Sequence, residues 1–416
     1  MQDSVNSRAQ QQTQNKALLA GVCSLIIAMG IGRFAYTPLL PAMQRAIGFG
    51  NEMAGLIASA NYLGYLIGAI ATTVIPAHMD RRRLLRICLV ASVISTGAIA
   101  WSDASMTWLA LRFAGGIASA GVFVIAGTLV TQALQATGHE ARMGVHFAGV
   151  GTGIALSGLL LAQAGEHLGW RGGWMALALL SLALLPLCWT VPKTPATKAQ
   201  AAPAVMAGTG AMSASTPAPS PRVALAFPMS LLILAYFCEG LGYIVSGTFL
   251  VAIIKTTPGL SAFGEYAWVA VGLAAAPSAL AWSAVMKKTG PLKALIAAHL
   301  IQAAGIVLPV LSGSLAAALG AALSFGGTFV GITLLSFNLA ARIAPAQSGR
   351  VIGLLTIAFG LGQILGPVAA GFIAGEGRGF DVPLLAAGAA VALGAALLLF
   401  GALKQGQTPI DTAEPC

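Results

Sequence analysis

The chain has 416 residues, 57% hydrophobic and 8% charged, with a mean hydropathy of +0.85. A soluble globular chain carries about 25% charged residues, so this composition excludes one and points to a protein that crosses a membrane many times. The formal net charge of +10 does not mark a nucleic-acid binder, because the basic residues are scattered between apolar runs without an aromatic–basic surface module. Residues 1–15 are polar and Gln-rich, and the first apolar run is a full span, so no cleavable signal is expected. Twelve apolar segments follow, at 17–40, 53–76, 84–101, 105–130, 143–165, 171–191, 223–253, 265–286, 292–312, 314–341, 350–374 and 382–403. Spanning a bilayer takes about 20 residues at helical rise.

Span one carries Met29-Gly30-Ile31-Gly32-Arg33-Phe34-Ala35-Tyr36-Thr37-Pro38. An arginine inside such a run costs roughly 2.5–3.5 kcal/mol at a helix centre. Glycines beside it permit close backbone approach, and a proline just after it favours a bend. A cavity or gate at Arg33, Tyr36, Gly30 and Gly32 is one reading; an Arg33 that snorkels to the interface is the other. In span two, Asn61 and Tyr65 share a face at i, i+4, as cavity groups or as helix–helix glue. Asp80, Arg81, Arg82 and Arg83 form a charge cluster in the loop that follows. Arg112 lies in span four and can meet helix-end carbonyls. His146, Asn338 and Gln363 read as helix–helix contacts, and Trp170 and Trp174 as an interfacial aromatic belt.

Residues 192–222 are rich in Ala, Pro, Ser and Thr and lack periodicity, which describes a flexible linker. It divides the chain into halves at 1–191 and 223–416. Of the 22 Lys and Arg, sixteen fall on one side if the N-terminus is cytoplasmic. Four fall outside (Arg45, Arg171, Lys255, Arg378), and Arg33 and Arg112 lie within spans. The positive-inside rule then places both termini and the linker in the cytoplasm. The halves also repeat: Gly30 and Gly32 match Gly240 and Gly242 at an offset of 210, Gly115 and Gly116 match Gly326 and Gly327 at 211, and Gly151 and Gly153 match Gly360 and Gly362 at 209. Duplicated halves around a midplane site are a transporter architecture.

Of the 12 acidic residues, Glu239 alone lies deep in a span, with Tyr236 and Tyr243 on its face at i−3 and i+4. A carboxyl taken out of water trades its proton as its solvation changes, which suits proton coupling; a structural ion pair or a hydrogen-bonded neutral acid is the alternative. The 5 cysteines stand singly, forming neither a metal spacing nor a disulfide framework. No catalytic constellation, metal set or cofactor motif is present, and the missing P-loop argues against ATP-driven pumping.

Twelve spans, a central linker and basic loops after spans two and eight resemble the major facilitator superfamily over essentially the whole chain. Asp80-Arg81-Arg82-Arg83 is similar to the remnant of that family's loop signature, without its glycines, and implies a cytoplasmic latch. Leu111-Arg112-Phe113-x-Gly115-Gly116 resembles its span-four arginine motif, which implies a part in proton coupling. Gly362-x-x-x-Gly366-Pro367 resembles the antiporter motif but lies in span eleven, where the usual place is span five. The stretches at 29–41, 61–65, 146–151, 169–171 and 239–243 resemble the YbfB/YjiJ-type branch.

The expectation is an all-α membrane protein of twelve helices in two pseudo-symmetric six-helix halves, the major facilitator fold. It is expected to act as a secondary transporter by alternating access, proton-coupled, for a small organic solute, with an organic anion or polar amphiphile preferred. The substrate cavity would draw on Arg33, Tyr36, Asn61, Tyr65, Tyr236 and Tyr243, proton coupling on Glu239 and Arg112, and gating on Gly30, Gly32, Gly362, Gly366 and Pro367. An antiporter exporting sugars or hydrophobic drugs is the alternative within transport, and a membrane receptor or scaffold the alternative outside it. The expected partners are a small-molecule substrate, protons and the lipid bilayer of a bacterial inner membrane, with the protein a monomer.

Overall fold

The computed structural model describes residues 2–76, 78–136, 138–139, 142–190, 227–375 and 379–405. The 192–222 linker lies outside them. Among the described residues, twelve helices are long and apolar enough to cross a membrane. Spans 1 to 6 are Gln11–Ile47, Asn51–Thr73, Arg81–Trp101, Ser105–Gln135, Met143–Ala164 and His167–Cys188. Spans 7 to 12 are Met229–Thr256, Ser261–Thr289, Pro291–Leu311, Leu315–Ile343, Pro345–Ala374 and Asp381–Lys404. Leu, Ile and Val side chains cover much of the outside, among them Ile94, Leu273 and Leu403. That is the surface hydrocarbon would cover.

Helix outruns hydropathy at the ends. The helix of span 1 begins at Gln2 on one side and ends at Ile47 on the other, because a polar helix end can continue past the apolar slab. It stops at Gly48, whose φ of 82° turns the chain in a left-handed cap, with its N–H on Gln44 O at 2.8 Å. Gly169, at φ 59° and ψ −176°, breaks the helix between spans 5 and 6.

The sequence repeat becomes the same contact made twice. Span 1 meets span 5 where a Cβ on Gly153 would lie 2.8 Å from Gly30 Cα; span 7 meets span 11 where one on Gly362 would lie 2.8 Å from Gly240 C. Gly366 is likewise pressed on the Leu241 backbone, and Pro367 O faces Gly55 of span 2. Gly116 abuts span 2 at Tyr65 N, and Gly326 abuts span 8 at Val271. Each glycine removes the Cβ that would hold two backbones apart. Gly153→Val is therefore expected to cost at least the roughly 1–3 kcal/mol of an overpacked core, since rigid backbone is what the added atoms meet. The loss would show in thermal unfolding of the purified protein, and an unchanged melting temperature would contradict the packing.

Trp170 and Trp174 do not form an interfacial belt. Trp174 is fully buried, with its indole N–H on Met43 Sδ at 3.3 Å, and Trp170 packs edge-on against Trp108. Span 6 turns both rings into the helical half, where aromatic edges find partners that lipid does not offer.

The halves meet along spans 2 with 11 and 5 with 8. Thr37 Oγ1 donates to Gly247 O, Ser59 Oγ to Ile364 O at 2.7 Å, and Asn51 Nδ2 to Gly375 O at 3.3 Å. These bonds bring the halves together toward one end of the spans. The space between the halves lies toward the other.

Candidate functional site

Span 1 is not a continuous α-helix. Residues Ile26–Arg33 are π-helical, Phe34 and Ala35 turn, and the helix resumes at Tyr36. A π segment is a local widening that concentrates at functional sites. Pro38 has no N–H to offer Arg33 O, and the Thr37 N–H goes to Phe34 O at 3.3 Å. The carbonyls of Gly32 and Arg33 are taken by Arg112 instead, Nη1 to Gly32 O and Nη2 to Arg33 O, both at 2.8 Å. Asn61 Nδ2 in turn donates to Arg112 O at 2.8 Å. Arg112 thus staples the break in span 1, below the Tyr36 ring at 5.2 Å.

The break directs Arg33 inward. Its side chain is 2% exposed and lies over the Tyr65 ring at 4.0 Å and the Tyr62 ring at 4.8 Å. Its Nη2 donates to Gln363 Oε1 of span 11 at 3.1 Å. Gln363 Nε2 donates to the Tyr243 hydroxyl of span 7. Among the described residues, Arg33 Nε and Nη1 have no hydrogen-bond partner. The residue is therefore held inside the bundle and does not snorkel to the span's end.

Arg33, Gln363 and Tyr243 border a cavity of about 120 Å³. Its walls are largely aromatic: Phe34, Tyr65, Phe123, Phe147, Tyr236, Phe329, Phe337 and Phe359. Tyr243 stacks between Phe359 at 5.3 Å and Phe329 at 6.2 Å. Polar groups are few, which is the usual composition of a small-molecule site.

Of the six residues expected in the cavity, Arg33, Tyr65, Tyr236 and Tyr243 line it. Tyr36 and Asn61 do not. The Tyr36 hydroxyl donates to Ala54 O at 3.1 Å, and Asn61 is spent on the span 4 backbone. Their spans are right, but helix rotation turns both side chains into the first half. Glu239 also lies outside the lining, although it shares its helix with the two lining tyrosines. Its Oε1 accepts from Gln302 Nε2 of span 9 at 2.6 Å, and Gln302 Oε1 accepts from Thr328 of span 10. Glu239 Oε2 is buried without a partner among the described residues. Tyr236 stays at the cavity wall, its hydroxyl donating at 3.2 Å to Thr333 Oγ1, which also lines the cavity. The expected three-residue polar face of span 7 is thus split between the cavity and the interior of the second half.

Gln363, a helix–helix contact by its sequence position, touches both Arg33 and Tyr243 at the cavity wall. Gln302 is the functional-site neighbour that sequence pattern alone does not mark. An amide inside an apolar span is all the signal that either offers. Gly30, Gly32, Gly362, Gly366 and Pro367 lie at helix crossings rather than in the lining.

Asp80 caps span 3, its Oδ1 accepting from the N–H groups of Arg82 at 2.9 Å and Arg83 at 3.3 Å. Those bonds hold its carboxyl below the usual carboxylate range. A depressed native pKa stabilises the fold above the unfolded value and is lost as pH falls through the native one. Asp80→Ala is therefore expected to lower the melting temperature at pH 7, and the deficit to shrink only as the pH falls below about 4. An equal deficit at both pH values would contradict capping by the carboxylate.

A family model described as the uncharacterised MFS-type transporter YbfB matches residues 25–399. The chain belongs to this family. It is a family of transporters and not of enzymes, and the chain is an integral membrane protein of the major facilitator superfamily. The gallate transporter of Pseudomonas putida is 27% identical over 173 residues, 41% of this chain and 38% of that protein. The 4-hydroxybenzoate transporter PcaK of Acinetobacter baylyi is 27% identical over 173 residues, 40% of this chain and 38% of that protein. Both matches thus span well under half the length of these relatives. The crystal structure of the nucleoside transporter NupG superposes with a TM-score of 0.69 at 16% identity, covering 95% of this chain and 100% of that one. That likeness concerns the fold alone.

Proposed function

We propose that this family member is a secondary active transporter for a small organic anion, with Arg33 as the anchor for the anionic group. The observation that carries this reading is Arg33 itself: a buried guanidinium at an aromatic cavity, with Nε and Nη1 unpartnered. A buried charge without a counter-charge is costly, and a carboxylate can repay that cost with paired, charge-assisted hydrogen bonds. The cavity of about 120 Å³ is near the ~150 Å³ of an engineered apolar cavity that holds benzene. Aromatic walls suit a ring by stacking and edge contacts. The names of two relatives, transporters of gallate and of 4-hydroxybenzoate, support an aromatic carboxylate.

Alternating access is the mechanism that follows from two repeated halves meeting at one end of the spans. The halves at 1–191 and 223–416 would rock about the cavity, joined by the 192–222 linker. With both termini cytoplasmic, the bonded end is the outer one and the cavity extends inward. Proton coupling would run through Glu239, whose Oε2 is buried without a partner. The protein would act as a monomer.

The test is uptake of radiolabelled benzoate and 4-hydroxybenzoate into proteoliposomes under an imposed pH gradient. Accumulation above protein-free vesicles is expected. The scarcity of polar groups in the cavity favours one second reading, export of hydrophobic neutral compounds. Transport of such compounds with indifference to carboxylates would replace the first reading with the second.

A further inference from the structure

Gln363 occupies the group that a substrate anion would need. Its Oε1 accepts from Arg33 Nη2 at 3.1 Å while its Nε2 donates to the Tyr243 hydroxyl. Arg33 belongs to span 1, and Gln363 and Tyr243 to spans 11 and 7. The Arg33–Gln363 bond therefore bridges the halves at the level of the cavity, and the Gln363–Tyr243 bond anchors it within the second half. Tyr65 covers one face of the guanidinium at 4.0 Å, which leaves a ligand its edges. Gln363 sits on one of them.

A neutral amide oxygen is a weak holder of that place. Hydrogen bonds between two ions are roughly twice as strong as neutral ones, and Arg33 is paired with no carboxylate among the described residues. We propose that Gln363 is a displaceable partner of Arg33: the substrate carboxylate takes its place on the guanidinium, and this exchange opens the hydrogen-bonded bridge between spans 1 and 11. Anion occupancy then loosens one half from the other where the substrate sits, which ties recognition to movement. Gln363 is a positioning residue in this scheme. The inference rests on the reading of Arg33 as the anion anchor.

A substituent that cannot bond Arg33 removes the competitor, whereas one that carries its own carboxylate occupies the site permanently. Gln363→Met keeps chain length and Gln363→Glu supplies the built-in anion. The experiment measures benzoate affinity of the purified full chain by calorimetry for wild type, Gln363→Met, Gln363→Glu and Arg33→Met. Gel filtration and the melting temperature without ligand check that each folds. Gln363→Met is expected to bind about tenfold tighter, the worth of one hydrogen bond to a charged group. Gln363→Glu is expected to bind at least about tenfold weaker by the same arithmetic.

Equal or weaker binding by Gln363→Met would overturn the proposal, since Gln363 would then be a ligand of the substrate or a spacer. Wild-type affinity in Gln363→Glu would overturn it too, and Gln363→Met alone decides if the Glu variant does not fold. Unchanged affinity in Arg33→Met, or no benzoate binding by wild type, would sink the anion reading and this proposal with it. Loss of binding in Arg33→Met without tightening in Gln363→Met sinks displacement alone. Spin-label distances between spans 2 and 11 supply the second readout: benzoate and Gln363→Met should shift them in the same direction. Tighter binding without that shift would end the claim that the bridge restrains the halves.

Discussion

Arg33→Met is expected to reduce uptake of an aromatic carboxylate about a hundredfold, and Arg33→Lys about tenfold. Removing one partner of a buried charged hydrogen-bonded pair typically costs roughly 2–5 kcal/mol, and every 1.4 kcal/mol is about tenfold. Lysine keeps the charge but loses the planar fork. It also loses the flat contact with Tyr65, over which the guanidinium lies at 4.0 Å. Both variants should remain folded, because the backbone at the break is held through the Gly32 and Arg33 carbonyls by Arg112 and not by the Arg33 side chain. The measurement is initial-rate uptake in proteoliposomes at equal reconstituted protein, with the melting temperature as control. Wild-type rates in Arg33→Lys would show that a point charge suffices and that the fork plays no part in recognition.

Glu239→Gln is expected to abolish accumulation against a gradient while leaving substrate exchange close to wild type. The substitution keeps size and leaves an oxygen to accept from Gln302, as Oε1 does at 2.6 Å, but nothing there can titrate. Glu239 does not line the cavity, so its effect on substrate would pass through neighbours. Span 7 is the route, since Tyr236 and Tyr243 flank it in sequence and both reach the cavity. A carboxyl that gains and loses a proton alters its demand on Gln302 and Thr328, which tie span 7 to spans 9 and 10. Comparison of pH-driven uptake with counterflow in the same vesicles separates coupling from binding. Full pH-driven accumulation by the Gln variant would leave Glu239 a structural acid.

Arg112 shows how position can redefine a residue. In sequence it is a second intramembrane arginine, and its motif resembles one linked to proton coupling. In the fold its two Nη groups donate to backbone carbonyls of span 1, and it stands outside the cavity lining. Its contribution to the site is the shape of the break that aims Arg33.

Hydropathy and repetition are one-dimensional properties, and both were legible along the chain. A bilayer demands long apolar helices whatever their order, so the number of spans followed from composition and segment length. Small residues mark close helix crossings because only they let backbones approach; hence Gly30 could be matched with Gly240, and Gly153 with Gly362, across the halves. The scarcity of charge likewise singled out Arg33 and Glu239, since an ion within a span needs a reason. Which way each side chain faces was decided by tertiary structure alone. Every side of a helix in a polytopic bundle is apolar, so no amphipathic stripe reports its rotation. Tyr36 and Asn61 therefore looked as suitable for the cavity as Tyr65, and Glu239 as suitable as Tyr243. Only packing against spans 4, 9 and 11 turned Asn61 and Glu239 away from the cavity and placed Gln363 against Arg33.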